Sequence, residues 1–550
     1  MTIRSALCLQ ILVLTGPFCH AQEALLTVSN TDDEGEGSLR AAIEEVANEG
    51  LITFDASLSG MTITLGEEAF AINKSLSIDA SSLAEGIIID ANSGDDSQRR
   101  LFKVPHGVTV TFSNLTLQNG ATPNGEDGQS GALDVHGDDA PHGGAIFNAG
   151  NLTLIGCVLT DNQSGNGGNG GSGRGGFGGF GGAIYNRGYL TLTSCTLNGN
   201  QTGNGGNGGA GEEGFAFGGR AGGGGGGGAI FNASRGTLRM TGCTLHDNQT
   251  GNGGIGGNGV ELFGNGGRGG SGGAGGALMN EGDLTLINCT FTANSTGAGS
   301  DGGNAELHYA GNGGSGGPGG AIQNVGEAFL MIHCTVTQNQ TGEGGLGGFR
   351  DGGEFPSGDS GSAGDGGGIS TSLMFSLTNS IVSANVATTA ADLVGPFESL
   401  GENITDSEFP INLRPLADFG GPTFTMPPIL TSPAVDASPL EVSVAKDQRG
   451  LSRQVDLGGR AIADLGAVEL QNDEAAGEFD SLFSMDTDSD GLSDGDELIR
   501  GTDSLVADNP GTDNLGFSTL DGTTGIPTLA FAYREAGIRL QVLRSTDLIT

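Results

Sequence analysis

The chain has 550 residues, 108 of them Gly and 16 Pro, and its 22 Lys and Arg face 64 Asp and Glu for a formal net charge of −42. Nucleic acid and anionic membrane surfaces are therefore excluded as expected partners, because binding to either is driven by clustered cations. With 35% apolar residues, no Trp and only 4 Tyr, a core must be aliphatic and assembled from many similar thin layers.

The N-terminus reads as an export signal. Arg4 precedes an apolar run over 6–14, Gly16 and Pro17 interrupt it, and the small residues Cys19 and Ala21 stand where a signal peptidase cuts. A signal peptide over 1–21 places the mature chain outside the cell or on a bacterial outer surface. No later stretch is apolar enough to span a bilayer, so no transmembrane segment is expected in the mature chain. Ser38 then precedes Leu39, Ala42, Ile43 and Val46 on one helical face, stopped by Gly50. Such a helix suits the open end of a stacked structure, whose first layer exposes strand edges. Strands are predicted over 52–54, 62–65, 87–89 and 108–112.

From residue 143 the chain repeats itself. GGAIFN, GGAIYN, GGAIFN, GGALMN and GGAIQN begin at Gly143, Gly181, Gly227, Gly275 and Gly319, and each is followed by alternating apolar and polar residues. Every copy then reaches a Cys and, five residues on, an Asn: Cys157 and Asn162, Cys195 and Asn200, Cys243 and Asn248, Cys289 and Asn294, Cys334 and Asn339. In a sixth copy Ser380 precedes Asn385. A core unit of about 20 residues with short strands and no amphipathic helix is one coil of a solenoid, and the crossover rule makes the winding right-handed. The fold class is accordingly all-β, a right-handed parallel β-helix over 22–470. In-register stacking predicts two ladders of amides, one through Asn148, Asn186, Asn232, Asn280 and Asn324 and one through Asn162 to Asn385, with the Cys side chains stacked as small apolar fillers. Five is odd, so the Cys cannot all pair with one another, and disulfide geometry favours free buried thiols over bonds between rungs.

The length differences between repeats fall in Gly-rich insertions, near 120–142, 163–180, 201–226, 249–274, 295–318 and 340–366, and stacking puts them all on one side of the solenoid. Composition alone permits a floppy brush. The Gly-Gly-X rhythm of Asn166-Gly167-Gly168-Asn169-Gly170-Gly171 instead predicts polyproline-II-like strands packed into a lateral slab, with Asn, Phe and charged residues at its rim as the interaction surface. Beyond the repeats, the segment 415–470 is expected to close the far end.

The repeats resemble those of chlamydial polymorphic outer membrane proteins, whose GGA and FxxN motifs correspond to the GGA series and to Phe291-Thr292-Ala293-Asn294. The flanks are similar to the bacterial choice-of-anchor Q family. They carry Val28-Ser29-Asn30-Thr31-Asp32, Gly37-Ser38-Leu39-Arg40 and Ile52-Thr53-Phe54-Asp55 on the N-side, and Gly420-Gly421-Pro422-Thr423, Ser432-Pro433-Ala434-Val435-Asp436, Asp447-Gln448-Arg449-Gly450 and Ala463-Asp464-Leu465-Gly466-Ala467-Val468-Glu469 on the C-side. The resemblance implies an exported β-helix held at the cell surface by a variable C-terminal device, with an adhesin role. No autotransporter barrel pattern follows in this chain.

Within a linker over 471–510, Asp486, Asp488, Asp490, Gly491, Leu492, Asp494 and Glu497 fit the 12-residue calcium loop: three carboxylates, a tight-turn Gly, a carbonyl from Leu492, a direct or water-mediated ligand and a bidentate Glu. Ca2+ is the expected cofactor. The loop resembles the single-loop repeats of dockerins and type 3 thrombospondin modules, which implies further ligands at Asp503 and Asp508. A β-rich segment over 511–550 alternates like a hairpin, and since two strands alone are marginal, further strands are expected to follow Thr550.

Two weaker constellations bear on chemistry. Asp134, His136, Asp138, Asp139 and His142 are metal-capable but stand in a Gly- and Pro-containing insertion, so a solvated loop is expected there, and His333 is expected to be an ordinary strand residue. Polysaccharide cleavage on a β-helix needs paired carboxylates, or calcium with a basic residue. The pairs Asp32-Asp33, Asp95-Asp96 and Asp138-Asp139 lack a matching basic residue in the repeats. The expected function is non-catalytic binding of an extracellular glycan, cell or protein, with polysaccharide degradation as the alternative.

Overall fold

A computed structural model describes residues 24–474 apart from 67, 93–98, 130–134, 213–216, 261–263, 352–356, 406–410, 439–443, 454–461 and 472–473. The signal peptide, the calcium loop, the 511–550 segment, Asp134 and the pair Asp95-Asp96 lie outside the described residues. Within them, no helix is long and apolar enough to cross a membrane.

The chain winds into a right-handed parallel β-helix with three sheets of 11, 9 and 9 strands, every pairing within them parallel. One coil contributes three strands: Asn151–Ile155 to the first sheet, Val158–Thr160 to the second and Ile184–Asn186 to the third. Each pairs with its equivalent one coil away, as in Leu152 with Leu190 and Leu154 with Leu192. Alternation sends Leu152 and Leu154 inward and Thr153 outward, which builds the continuous aliphatic core.

Polar groups inside the coil are satisfied by stacking. The first amide ladder runs from Asn148 through Asn186, Asn232 and Asn280 to Asn324, each Nδ2 donating to the next Oδ1 at 2.7 Å. The second runs from Asn162 to Asn385 with the same bonds at 2.8–2.9 Å, and it ends on Asp392 at 3.0 Å. All are buried, so each rung depends on its neighbours for partners that water cannot supply. The five Cys are free and buried. Each thiol lies 3.3–3.5 Å from the carbonyl two residues before it. Burial opposes the thiolate at every one, while thiol donors on both sides work against burial at Cys195 and Cys289.

At the N-terminal end, helix α1 (Leu39–Glu45) begins at Ser38, whose Oγ accepts the Ala41 N–H, and buries Leu39, Ala42 and Ile43. Arg40 fixes this cap: its guanidinium donates to Asp33 at 2.7 Å and to the Glu68 and Ala69 carbonyls, and it lies over the Phe70 ring.

The C-terminal segment departs from its expected place. The described residues of 411–471 run back along the flank as a strap, over the corner between the first and second sheets. Gly466 N–H donates to the Asn379 carbonyl, Ala467 N–H to Thr335 Oγ1, Arg453 to Asn288 Oδ1, Thr290 Oγ1 to Gln448 Oε1, and Thr244 Oγ1 to the Phe424 carbonyl. The outward-facing Thr244, Thr290 and Thr335 are buried under it, so these hydroxyls take their partners from the strap. His333 is also relocated. It sits on the turn before the strand Thr335–Thr337 with φ of 47°, buried beneath the strap.

Candidate functional site

Each Gly-rich insertion leaves the coil after the second amide ladder, runs outward and returns, so it has two legs lying side by side. In the insertion after Asn162, Gly176 N–H donates to Gly168 and Gly179 N–H to Gly165 across the legs. The triplet Asn166-Gly167-Gly168 shows how the rhythm works. Gly167 N–H donates to the Asn204 carbonyl one rung on, at 2.9 Å, and Gly168 N–H to Asp138 in the adjoining return leg, at 2.9 Å. Three residues per turn, the polyproline II geometry, aims successive positions in three directions, which leaves the Asn to face outward. A Cβ on Gly168 would come within 3.0 Å of the Glu126 backbone, and one on Gly176 within 3.0 Å of Asp138. Only Gly permits that approach. Segments with almost nothing to bury are thus held by main-chain hydrogen bonds in two directions, and the brush is excluded for the described insertions.

The outgoing legs present rows of amides. Asn166 Oδ1 accepts the Asn204 N–H, Asn204 Oδ1 the Asn252 N–H and Asn252 Oδ1 the Ala298 N–H, at 2.7–2.8 Å. A parallel row starts at Asp127 and continues through Asn169 and Asn207 to Ile255. Between the rows runs an open groove of about 560 Å³ lined by these residues and Ser300. The oxygens are spent on the fold, and Asn169 Nδ2 donates to Asp127 Oδ1 at 3.2 Å.

The return legs carry a different surface. Gly175 N–H donates to the Arg220 carbonyl, Ala221 N–H to Arg268 and Gly269 N–H to Asn312, each at 2.9 Å, so Arg174, Arg220, Arg268 and Asn312 occupy one row on successive rungs. All four are exposed. Neighbouring guanidinium groups repel by about 1 kcal/mol per pair even in water at a one-rung spacing of roughly 4.8 Å, and among the described residues no ion pair or side-chain hydrogen bond offsets it. The next row outward holds Phe217, Asn265 and Tyr309, with Phe217 50% and Tyr309 47% exposed. A groove of about 460 Å³ separates the two rows.

Where the slab joins the third sheet, outward-facing rings stack from rung to rung: Phe147 on Tyr185 and Tyr185 on Phe231, both at 5.3 Å, with His142 on Tyr185 at 4.7 Å. Burial, then the Arg100 charge, lowers the His142 pKa, and its Nδ1 accepts the Phe180 N–H. Burial and the nearby Glu281 raise that of Tyr185.

The strap encloses the densest cluster of charge. Arg453, 1% exposed in its side chain, lies 3.7 Å from Glu469 and donates to the Gly466 and Ala467 carbonyls. Arg449 pairs with Asp447 at 3.0 Å and with Glu474 at 2.6 Å. Burial pushes Asp464 up to about 7, and burial with the Asp464 charge pushes Glu469 up to about 9. Burial, then the Arg453 charge, drives His333 down to about 3. Arg453 holds Asn288 of the coils as well as the Gly466 and Ala467 carbonyls, so the cluster is a clasp fastening the strap to the coils.

The residues singled out in the sequence are dispersed. His136, Asp139 and His142 occupy successive outward slots of one return leg, where His136 Nδ1 accepts the Arg174 N–H at 3.0 Å and Asp139 Oδ1 the Phe177 N–H at 2.8 Å. The expected solvated loop is therefore an ordered leg, with Asp138 between slots lending its carbonyl to Gly168. Among the described residues no three His, Cys, Asp or Glu converge to hold a metal. Asp33 serves the N-terminal cap through Arg40. The signal for the Arg row lies on the N-terminal side of each GGA motif, in insertions whose lengths differ. Counted back from the GGA motif, His136, Arg174, Arg220, Arg268, Asn312 and Asp359 each stand seven residues before its first Gly or the equivalent Gly366. No protein-family model matches the chain, and no curated protein matches it.

Proposed function

We propose that this protein is an exported, non-catalytic β-helix that works as an adhesin-like binding surface for extracellular glycans or proteins, with the outer faces of the Gly-rich slab as the contact surface. One observation carries this reading: the slab holds exposed side chains in register, rung after rung, on a frame hydrogen-bonded in two directions. A surface ordered before it meets a ligand loses little further entropy on binding. The likeness of the flanks to the choice-of-anchor Q family and the export signal support the same reading. The loop from Asp486 to Glu497 is proposed to bind Ca2+ in the range of about 10⁻⁴–10⁻³ M found for extracellular modules, stiffening the linker that follows the strap.

A glycan and protein array probed with the full mature chain tests the proposal, together with fractionation of the native cell. Binding that is lost when outward residues of one slab face are replaced by Asp, Asn204 and Asn252 on the outgoing legs or Asn265 and Asn312 on the return legs, is the expected result. A purely cytoplasmic location, or reproducible turnover of a polysaccharide, overturns it.

A further inference from the structure

Resting on that reading, we infer that the return-leg face of the slab is a cleft for a linear acidic polysaccharide, a chain bearing carboxylate or sulfate groups that lies along the stack across successive rungs. Arg174, Arg220 and Arg268 are three of only 22 basic residues in a chain with 64 acidic ones, yet they stand in one exposed row, held in register by the bonds of Gly175 to Arg220 and Ala221 to Arg268. Stacking like charges with no acidic partner among the described residues works against the fold, so a ligand that supplies anions at similar intervals relieves it.

The chemistry of the two rows fits one ligand class. A guanidinium grips a carboxylate or sulfate through two parallel N–H donors, which a repeating acidic sugar offers again and again. Across the groove, the half-exposed side chains of Phe217 and Tyr309 give apolar contacts for the C–H faces of sugar rings, and Asn265 and Asn312 offer hydrogen bonds to hydroxyls. The opposite face, with its amide rows and no Arg, lacks this pairing. A net charge of −42 argues against a ligand as densely charged as nucleic acid, whose attachment needs many phosphate contacts. Three cations on a strip that projects from the acidic body suit a sparser polyanion.

Titration calorimetry at about 50 mM salt, within the regime where surface charges still act over a Debye length, tests this with the full mature chain. The probes are oligogalacturonate, chondroitin sulfate oligosaccharides, unmodified dextran and single-stranded DNA. The expected result is binding of at least one acidic glycan, weakened at least tenfold by the double variant Arg220→Gln/Arg268→Gln and partly restored by Arg220→Lys/Arg268→Lys, with dextran and DNA bound more weakly. Both variants are on exposed positions, and hydrogen exchange over 201–274 verifies that the slab stays formed. Acidic glycan binding that ignores the Gln variant, tighter binding of DNA, or no acidic glycan bound at all overturns the inference. In the last case, array binding to neutral glycans or proteins leaves the broader binding function standing, whereas an empty array removes both.

Discussion

The coils and the slab are stacked on the same rungs by opposite means. In the coils, neighbours are joined by what the side chains do: Leu packs on Leu, and Asn248 donates to the Leu197 and His246 carbonyls and to Asn294 while accepting from the Asn200 main chain and side chain. In the slab the side chain is absent where the Gly-rich legs press together, and main-chain bonds do most of the joining, with outward amides such as those of Asn166 and Asn204 adding a bond from rung to rung. The coil therefore does not tolerate the loss of a partner. The slab tolerates no Cβ between its legs.

Removing a rung of the amide ladder is the largest test. Asn248→Ala strands the Asn200 N–H and several carbonyls in a dry interior, each at about 1–3 kcal/mol. We expect a loss of roughly 3 kcal/mol or more in urea unfolding, and a loss under 1 kcal/mol would mean that the ladder is not what holds register. Next comes Gly270→Val. Its Cβ would fall within 3.0 Å of Gly222 and Gly254 backbone atoms, and overpacking of this kind costs about 1–3 kcal/mol. The cost should be local: faster amide exchange across 249–274 and the adjoining insertions, with the coil strands still protected. Uniform protection would show that the slab has room to spare.

The strap adds a pH test on the flank between those two regimes. Glu469 and Asp464 face Arg453, Asp436, Asp447 and His333, and both carboxyls have folded pKa values raised above their usual 4.5 and 3.8, to about 9 and about 7. A raised folded pKa means tighter proton binding in the folded state, so the stability it contributes is full below about pH 4 and is lost as pH rises through 7 and 9. His333, lowered to about 3, has the opposite sign, with its contribution full above 6.5 and lost toward pH 3. Strap release, followed by proteolysis within 411–471, should therefore quicken as pH goes from 6 to 9. Glu469→Gln should flatten that rise by on the order of 2 kcal/mol.

How much of this was legible in the sequence follows the same division. The coil could be read because its periodic positions are explained by one requirement each: Leu152 and Leu154 inward, Asn148 and Asn162 laddered. The slab's order could be read from the Gly-Gly-X rhythm. Its Arg row required the alignment to start from the returning turn, since the insertions differ in length and Arg174 and Arg220 drift out of step when counted from Asn162 and Asn200. The strap was misplaced for a physical reason. Gly242, Asn288, His333 and Asn379 share one left-handed turn position, but Gly and Asn are ordinary at such turns and His breaks the series, so no pattern marked the corner that the strap covers. The partners of Thr244, Thr290 and Thr335 lie more than 120 residues away.

The smallest effect expected is at the Cys ladder, where the chain contains its own control. Ser380 takes the Cys position in the last copy, donating from Oγ to the Thr378 carbonyl at 2.9 Å and accepting the Cys334 N–H at 3.1 Å. Cys334 makes the matching contacts one rung earlier, with its Sγ 3.3 Å from the Ile332 carbonyl and the Cys289 N–H 3.4 Å from the same sulfur. A hydroxyl placed there finds both a donor and an acceptor already aimed at it, so the usual penalty for burying one, about 1–3 kcal/mol when unpaired, is offset. Cys334→Ser should shift urea unfolding by less than about 1 kcal/mol, whereas Cys334→Val, similar in size but unable to use either group, should cost more. A Ser variant as damaged as the Val variant would show that the ladder depends on thiol volume, and that Ser380 is accommodated by its place near the end of the stack.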